Sequence, residues 1–384
     1  MRAVVWHGKE DVRVDEVSDP RIEEPNDAIV RVTSTAICGS DLHLYSKLWP
    51  ALKAGDILGH EPMGIVEEVG SEVTHIRPGD RVVIPFNIAC GQCWQCKDAM
   101  YSQCETTQNK SVRKGASLFG YTQLYGGVPG GQAEYLRVPQ AQFGPIPVPE
   151  GPADSRFLFL SDVLPTAWQA VEYADIPPSG TVAVLGLGPI GQMCARIARH
   201  RGASRVLGID SVAERLAMAA HYGVETIDAS SVDDVTNAVA ELTEGRGVDS
   251  AIDAVGMEAS GSRVDSVLST LKVQPDKLLA LHHALGVLRR GGTLSITGVY
   301  VGAYPLFPLG DLFDKQISIR MGQANARRWT NEILPLLGDD DPLDTAGLVT
   351  HELPLEDAAR GYEIFQKKLD GAVKVVLKPR ASVS

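Results

Sequence analysis

An apolar run that leads directly into closely spaced glycines constrains the fold of this chain more than any other feature. The run is Thr181–Leu185, and the sequence GLGPIG follows it at residues 186–191. A strand, a G-x-G-x-x-G turn and then a helix form a dinucleotide-binding unit, because glycine permits the tight turn, close backbone approach to pyrophosphate and helix packing on the strand. The pyrophosphate lies at the helix N-terminus. The residues predicted to contact the cofactor there are Gly186, Gly188, Pro189, Ile190 and Gly191.

An acidic residue at the end of the next apolar run bears on the choice of cofactor. Asp210 lies 19 residues after Gly191. A carboxylate at this point accepts hydrogen bonds from the ribose hydroxyls and repels a 2′-phosphate. Because no Arg or Lys directly follows Asp210, we expect NAD rather than NADP. The alternative is an ordinary strand-to-helix turn in which Asp210 caps the next helix.

The chain shows two different patterns of predicted secondary structure. The first 150 residues contain short β-branched runs bounded by Gly, Pro, Asp and Asn, which indicates a β-rich half. From residue 179 onward, strands alternate with helices, which indicates a doubly wound parallel sheet and an α/β fold class. The predicted helices of this part are 189–201, 213–222 and 277–288, and the predicted strands are Thr181–Leu185, 205–209, 250–254, 293–297 and 317–320. An amphipathic segment at 328–337, a helix at 355–368 and a strand at 373–377 follow.

Composition excludes several classes of partner. The 384 residues carry 48 acidic and 36 basic side chains, and a net charge of −12 has the wrong sign for binding a phosphate backbone. No apolar run reaches the length of about 18 residues that a membrane span needs. No secretory signal is recognisable at the start. We therefore expect no nucleic-acid or membrane partner, a cytoplasmic location, and six cysteines that form no disulfides.

Four of the six cysteines crowd into fifteen residues. They are Cys90, Cys93, Cys96 and Cys104. Four thiolates close a tetrahedral shell without an open position, so this spacing predicts a structural zinc site. An iron–sulfur cluster is the rival, because close Cys spacing also serves clusters.

A second set of metal-binding residue types is spread over two loops. The sequence CGSDLH at residues 38–43 and the sequence GHEP at residues 59–62 supply a thiolate, two imidazoles and several carboxylates. A lone histidine is more often an ordinary surface or core residue than a ligand. Spacing alone therefore leaves the role of His60 open.

A family resemblance resolves part of this ambiguity. The motif GHE-x2-G-x5-G-x2-V at residues 59–73 resembles the signature of zinc-containing alcohol dehydrogenases of the medium-chain dehydrogenase/reductase superfamily. The four-cysteine lobe and the glycine-rich turn stand in the order that this family shows, and the likeness covers nearly the whole chain. Within the family, the sequences at 161–166 and 126–135 resemble the branch that contains glutathione-independent formaldehyde dehydrogenases and related alcohol dehydrogenases.

The resemblance implies an architecture. It consists of a β-rich GroES-like catalytic domain formed by residues 1–155 and 325–384, and an inserted Rossmann NAD-binding domain at 156–324. The active site would lie in the cleft between them. Family members are dimers or tetramers joined through the nucleotide-binding sheet, so we expect a homodimer or homotetramer.

The resemblance also implies the ligands of a catalytic zinc. Cys38 and His60 hold two positions, and Asp162 holds the third, where many relatives have a cysteine. Glu61 is a competing or exchanging ligand, as in polyol-dehydrogenase relatives. The alternative for Asp162 is a cap of the helix that follows it. Asp41 would orient the imidazole of His60. With the four-cysteine site, the expected content is two zinc ions per subunit.

By the same resemblance, Ser40 and a solvent-facing His43 form a relay that takes the alcohol proton, and Thr166 contacts the nicotinamide end. Phe86 and Trp49 match positions that line the substrate channel, although an aromatic residue is as often part of the core. His282 and His283 have two alternative interpretations. They contact the nicotinamide region, or they are ordinary residues on the surface of a helix.

Together these features predict an enzyme that transfers a hydride between a small alcohol or aldehyde and NAD. Two alternatives stay open. One is a formaldehyde dehydrogenase or dismutase that keeps NAD bound through the turnover, and the other is a non-catalytic NAD-binding zinc protein of the same fold. The physiological substrate and the direction of the reaction do not follow from the sequence.

Overall fold

The computed structural model describes residues 1–46, 52–256, 279–300 and 307–379. The chain forms two compact units. One consists of Met1–Pro165 with Ala324–Ser384, and the other consists of Thr166–Gln323. None of the helices in the described ranges is long and apolar enough to cross a membrane.

The unit Thr166–Gln323 is built on a parallel sheet of six strands. Across the sheet their order is Glu225–Asp228, Arg205–Asp210, Thr181–Leu185, Val248–Asp253, Leu288–Ile296 and Ser318–Met321. The strand order reverses beside Thr181–Leu185, which is the first strand of the sheet in the chain. This is the doubly wound order 3-2-1-4-5-6, in which ligands bind at the carboxyl ends of the strands near the reversal. The predicted Rossmann fold is therefore confirmed.

The described helices between these strands are Pro189–His200, Ala213–His221, Val235–Leu242, Leu279–Gly286 and Leu309–Lys315. The helix Val163–Ala174 precedes the first strand and contains residues of both units. The helix Pro189–His200 begins with proline in its first turn and ends with Arg199 and His200, as proline's fixed φ and the helix dipole favour. The helix predicted at 277–288 is observed as Leu279–Gly286, and residues 277 and 278 lie outside the described residues.

The other unit is mostly β. Its larger sheet has the order His351–Pro354, Val375–Lys378, Ala28–Ile37, Glu61–Val69, Arg81–Val83 and Ile146–Pro147, with Tyr135–Val138 also paired to Ala28–Ile37. A hairpin of Arg2–Gly8 and Asp11–Glu16 forms a second sheet. Strands from both chain ends therefore meet in one sheet, since Val375 pairs with Ile37.

Short helices complete this unit. The α-helices are Gly39–Ser46, Trp94–Lys97, Asp154–Phe157, Thr330–Ile333 and Ala358–Lys367, and the 3-10 turns are Tyr101–Gln103, Lys110–Val112, Gln123–Tyr125, Leu158–Ser161, Ala326–Trp329, Leu334–Leu337, Ala346–Leu348 and Leu355–Asp357. The amphipathic segment 328–337 thus breaks into short turns. Pro335 lies in the last of them and removes an N–H donor that a continuous helix would need.

Each unit has its own apolar core. In Thr166–Gln323 it is formed by the sheet strands and by Val239, Leu281 and Leu285 on the helices. In the other unit, one cluster packs the first hairpin against Tyr362 and Phe365. A second cluster fills the larger sheet around Val30 and Val66.

Candidate functional site

The glycine-rich turn has the geometry that a dinucleotide site needs. Gly186 has a φ of +84°, which disfavours any side chain there. A Cβ at Gly191 would overlap the carbonyl oxygen of Gly186, so only glycine lets the helix approach the strand. Among the described residues, a Cβ at Gly188 would instead meet only the guanidinium of Arg215, in ordinary van der Waals contact at 3.8 Å. The backbone at Gly188 is therefore open to a ligand at the N-terminus of the helix Pro189–His200.

Asp210 lies beside this turn. Its Oδ2 accepts the backbone N–H of Leu187 at 2.7 Å, and its Oδ1 accepts those of Ser211 and Val212. Arg215 lies 3.7 Å from Oδ2. Sequence reasoning missed Arg215. Its proximity to Asp210 depends on the turn between the strand Arg205–Asp210 and the helix Ala213–His221. The carboxylate that we expect to face the ribose therefore has a cation beside it.

The four-cysteine group (Cys90, Cys93, Cys96 and Cys104) is brought together by a loop and the short helix Trp94–Lys97. The Sγ atoms of Cys90 and Cys96 are 4.0 Å apart, and so are those of Cys93 and Cys104. A zinc ion at about 2.3 Å from each sulfur requires S···S separations of about 3.8 Å. The group therefore fits a tetrahedral zinc ion, and its sulfurs are too far apart for disulfides.

Hydrogen bonds favour the thiolate form of Cys90 and Cys93, whereas burial raises the pKa of Cys96. Burial acts to raise the pKa of Cys90, but hydrogen bonds from Thr106 and from the backbone N–H groups of Gln92 and Cys93 outweigh it and lower the pKa to about 6. The N–H of Glu105 bonds to the sulfur of Cys93 in the same way. Anionic sulfurs are the ligands that zinc binds.

The Cys38 group (Cys38, His60, Glu61 and Asp162) is the second set of metal-binding side chains. Cys38 follows the strand Ala28–Ile37. The neighbouring strand Glu61–Val69 begins at Glu61, and His60 directly precedes it. Asp162 follows the turn Leu158–Ser161. One ligand atom from each residue lies within 4.8 Å of the others. The sheet register therefore brings these sequence-distant residues together.

Distances within the Cys38 group match a shared metal. Asp162 Oδ2 lies 3.3 Å from His60 Nε2 and 3.5 Å from Cys38 Sγ. Ligands of one tetrahedral zinc ion are separated by about 3.4 Å for nitrogen and oxygen and about 3.6 Å for sulfur and oxygen. The other imidazole nitrogen, Nδ1, lies 3.1 Å from Asp41 Oδ1, which is within ion-pair distance, so Asp41 stays the candidate for orienting the ring.

The electrostatics of the Cys38 group also favour a cation. Burial raises the pKa of the Cys38 thiol to about 11, and the nearby Asp162 adds to the rise. Burial acts to lower the pKa of His60, yet the charges of Asp41 and Cys38 outweigh it and raise that pKa well above its usual range. A divalent metal would relieve both effects, because it stabilises the thiolate and the neutral imidazole as ligands.

Glu61 has a partner that sequence reasoning missed. Its Oε1 accepts a hydrogen bond from Lys374 Nζ at 2.7 Å, and both side chains are fully buried. Glu61 Oε2 is buried and has no hydrogen-bond partner among the residues that the structure describes. The signal in the sequence was a single lysine inside the apolar run predicted as the strand 373–377, since a buried charge requires a partner.

Of the two residues of the predicted proton relay, Ser40 lies beside the Cys38 group, whereas His43 is buried. Ser40 Oγ lies 3.3 Å from His60 Nε2, next to the Cys38 group. His43 differs from its expected solvent-facing position, because only 6% of it is exposed. It lies in the helix Gly39–Ser46, where the four residues from Asp41 to Leu44 are all buried against the core. A proton that reached His43 would therefore not pass from it directly into bulk water.

The other predicted residues lie as follows. The Phe86 ring is buried, and its centroid is 6.3 Å from that of the His60 imidazole. Thr166 is half-buried in the first turn of the helix Val163–Ala174. His282 is exposed and His283 half-buried on the helix Leu279–Gly286, in agreement with a place on the helix surface. Trp49 lies outside the described residues.

Comparison with known proteins assigns the family. Residues 24–148 match the alcohol dehydrogenase GroES-like domain, and residues 189–275 match the zinc-binding dehydrogenase family. The chain is 44% identical to an uncharacterized zinc-type alcohol dehydrogenase-like protein of Bacillus subtilis, over 99% of this chain and all of that protein. It is 33% identical to a formaldehyde dismutase of Pseudomonas putida, over 98% and 97% of the two chains.

A solved structure agrees with this assignment. The alcohol dehydrogenase TADH from Thermus sp. ATN1 superimposes with a TM-score of 0.84 and 39% sequence identity, covering 99% of this chain and 100% of that one. The family matches, the full-length relatives and the two metal-binding groups point to the same assignment. The chain therefore belongs to the zinc-containing alcohol dehydrogenases of the medium-chain dehydrogenase/reductase superfamily.

Proposed function

We propose that this enzyme oxidises a small alcohol, or reduces the corresponding aldehyde, with NAD as hydride carrier and zinc at the Cys38 group. The observation that carries the proposal is the position of Asp162 Oδ2, which lies at zinc-ligand separations from both His60 and Cys38. The glycine-rich turn, open at Gly188, supplies the cofactor site. The unit Thr166–Gln323 is then the nucleotide-binding domain, and the other unit is the catalytic domain.

Within this proposal each residue of the group has a task. Cys38, His60 and Asp162 would hold the zinc ion, and Asp41 orients His60. The bound metal supplies Lewis acidity, which lowers the pKa of an alcohol and so eases hydride departure. Ser40, beside His60, would accept a hydrogen bond from the alcohol and release its own hydroxyl proton toward the imidazole of His43 as the alcohol proton arrives. Phe86 bounds the site and favours small or flat substrates.

The cofactor preference depends on Asp210. Its two oxygens already accept three backbone N–H groups, yet a carboxylate has further acceptor capacity for a ribose hydroxyl. Its negative charge disfavours a 2′-phosphate at the same place. Arg215 reduces this repulsion without removing it, so NAD is the proposed cofactor.

A formaldehyde dismutase is the second candidate. It is supported by the relative of that name and by the branch resemblance of the segments 126–135 and 161–166. Such an enzyme would keep NAD bound while one aldehyde hydrate is oxidised and a second aldehyde is reduced. NAD that stays with the protein through gel filtration would favour this candidate over the dehydrogenase.

One experiment tests the proposed function. Metal content is measured together with NADH formation over a panel of short alcohols and hydrated formaldehyde. We expect two zinc ions per chain, one for each metal-binding group, and NADH release with at least one alcohol. A single zinc ion and no turnover would contradict the proposal, because only the four-cysteine group would then be filled.

We also propose a homo-oligomer and a cytoplasmic location. The strand Ser318–Met321 lies at the edge of the parallel sheet, and Phe313 and Met321 beside it are exposed apolar side chains. These features support assembly through the nucleotide-binding sheet. All six cysteines are free thiols, in keeping with a reducing compartment.

A further inference from the structure

The Cys38 group holds one donor more than a substrate-binding zinc ion uses. Each of its four side chains brings a ligand atom within 4.8 Å of the others. Four protein ligands close a tetrahedral shell, whereas a zinc ion that binds substrate has three and keeps one position open. One of the four side chains must therefore be kept off the metal when substrate enters.

Glu61 is the member of the group that has a buried cation as an alternative partner. Lys374 Nζ lies 2.7 Å from Glu61 Oε1 and 3.1 Å from the carbonyl oxygen of Ile37, and neither charged side chain is exposed. The ammonium group therefore lies within hydrogen-bond distance of Glu61 and gives this carboxylate a cationic partner other than a metal ion.

The backbone fixes Lys374 in this place. Its carbonyl oxygen accepts the N–H groups of Thr350 and His351, and its own N–H bonds to Thr350 Oγ1. The strand that follows Lys374 pairs with Ala28–Ile37, the strand that leads into Cys38. The ammonium group thus reaches past Ile37 to Glu61 from a rigid part of the sheet.

We propose that Lys374 is a positioning residue that competes with the metal for Glu61 and so keeps the fourth coordination position open to substrate. Cys38, His60 and Asp162 are then the resident ligands. Charge agrees with this division, since zinc balances the Cys38 thiolate and the Asp162 carboxylate while Lys374 balances Glu61. The inference rests on the proposed function in one respect, namely that the Cys38 group binds zinc.

Replacement of Lys374 by Met is the direct test, since it keeps the aliphatic stem and removes the charge. The Glu61 carboxylate, left buried without its cation, takes the metal as its partner. The test uses cobalt(II)-substituted protein and follows imidazole binding by visible absorption. The closed four-cysteine group gives no response to imidazole. Lys374→Met is expected to bind imidazole more weakly by on the order of tenfold, the lower end of the effect of residues that support metal ligands.

Two further variants complete the test. The double variant Glu61→Gln with Lys374→Met removes the competing carboxylate and is expected to regain the wild-type affinity for imidazole. Lys378→Met is the matched control, because Lys378 ends the strand that follows Lys374 and donates to Ser34 instead of Glu61. It is expected to bind imidazole as the wild type does.

Two results would overturn the inference. One is a Lys374→Met protein with wild-type imidazole affinity. The other is a Glu61→Gln single variant with an altered cobalt spectrum in the absence of imidazole, which would make Glu61 a resident ligand even if Lys374→Met does not fold. A wild-type protein that binds cobalt only at the four-cysteine group would overturn the proposed function itself, and the inference with it.

Discussion

At the scale of single residues, the first question is whether Asp162 is the third zinc ligand. Its Oδ2 lies 3.3 Å from His60 Nε2, a separation suited to a shared metal. We expect Asp162→Ala to lower the metal content from two ions per chain to one, as measured by atomic absorption after gel filtration. Asp154→Ala is the control, because Asp154 binds Ser34 and Arg81 and lies outside the Cys38 group. Retention of both ions by Asp162→Ala would transfer the ligand role to Glu61.

Asp210 and Arg215 make the cofactor preference testable. In Asp210→Asn the repulsion of a 2′-phosphate is gone, and Arg215 loses its neighbouring carboxylate and can pair with the phosphate. We expect the ratio of kcat/KM for NADP to that for NAD to rise by about tenfold or more, since a like-charge contact costs more than about 1.4 kcal/mol.

The role of the arginine is separated by a second variant. Asp210→Asn combined with Arg215→Met is expected to lose most of the gain with NADP, because the neutral site then has no cation for the phosphate. An unchanged cofactor ratio in Asp210→Asn would show that neither residue faces the ribose.

At the scale of secondary structure, Asp249 links its own strand, Val248–Asp253, to the two strands beside it through Thr181 and Arg289. Its Oδ2 accepts the N–H of Thr181 at 2.9 Å, and its Oδ1 lies 2.6 Å from nitrogens of both Arg246 and Arg289. The side chain is nearly fully buried. Asp249→Asn therefore weakens the start of the strand that leads to the glycine-rich turn. We expect the free energy of unfolding of this unit to fall by about 2 kcal/mol at neutral pH, measured by urea denaturation.

The effect of Asp249 depends on pH in a defined direction. Burial acts to raise its pKa, but the Thr181 N–H and the two arginines outweigh it and lower the pKa. A lowered folded-state pKa stabilises above the unfolded value of about 4, and this stabilisation is lost as the pH falls through the folded-state pKa. The difference between wild type and Asp249→Asn should shrink below about pH 4. Asp314→Asn, which removes an exposed pair with Arg290, should cost less than about 1 kcal/mol at any pH.

The four-cysteine lobe depends on its metal because it has little apolar core of its own. Besides the cysteines, the fully buried apolar residues of its cluster are Ala89 and Ala116. Treatment with a chelator should therefore open this segment, and limited proteolysis should cut first between residues 90 and 115. Chelator treatment of Cys38→Ser is expected to give the same cut. This variant shows that the cut reports metal loss from the four-cysteine lobe and not from the Cys38 group. An intact segment after metal removal would show that packing alone holds it.

Sequence reasoning reaches those features that local patterns determine. The Rossmann strands and the helix Pro189–His200 follow from hydrophobic runs, glycine spacing and proline at the helix start. The four cysteines lie so close in sequence that their proximity is assured. What it misses depends on tertiary contact, as with Lys374, which meets Glu61 across the strand Ala28–Ile37, and with Arg215 beside Asp210. The burial of His43 likewise depends on the core that its helix meets.

The two units of the whole molecule use the chain differently. The unit Thr166–Gln323 is continuous, whereas the other unit needs both chain ends, since strands from each end lie side by side in its larger sheet. Lys374 comes from the late part of the chain and Cys38, His60 and Glu61 from the early part. The environment of the candidate zinc site is therefore complete only after the chain returns from the nucleotide-binding unit, which explains why contiguous sequence windows do not reveal it.

Assembly of the whole molecule is testable at the sheet edge. In the described part of the parallel sheet, Ser318–Met321 pairs with Leu288–Ile296 on one side only, and an unpaired strand edge is a template for another chain. Phe313 is 86% exposed and Met321 60% exposed. Such side chains favour burial against a second copy of this surface, which a twofold axis would bring together.

Charges introduced at this surface should therefore dissociate the oligomer. We expect Phe313→Glu combined with Met321→Lys to lower the mass in solution to that of one chain, measured by light scattering during gel filtration, because desolvating these charges in an apolar interface is unfavourable. Trp94→Glu is the control, since Trp94 is 57% exposed but lies in the other unit. A doubly charged variant with the mass of the wild-type oligomer would place the interface elsewhere, whereas a monomeric wild type would leave this apolar edge without the partner that its exposure requires.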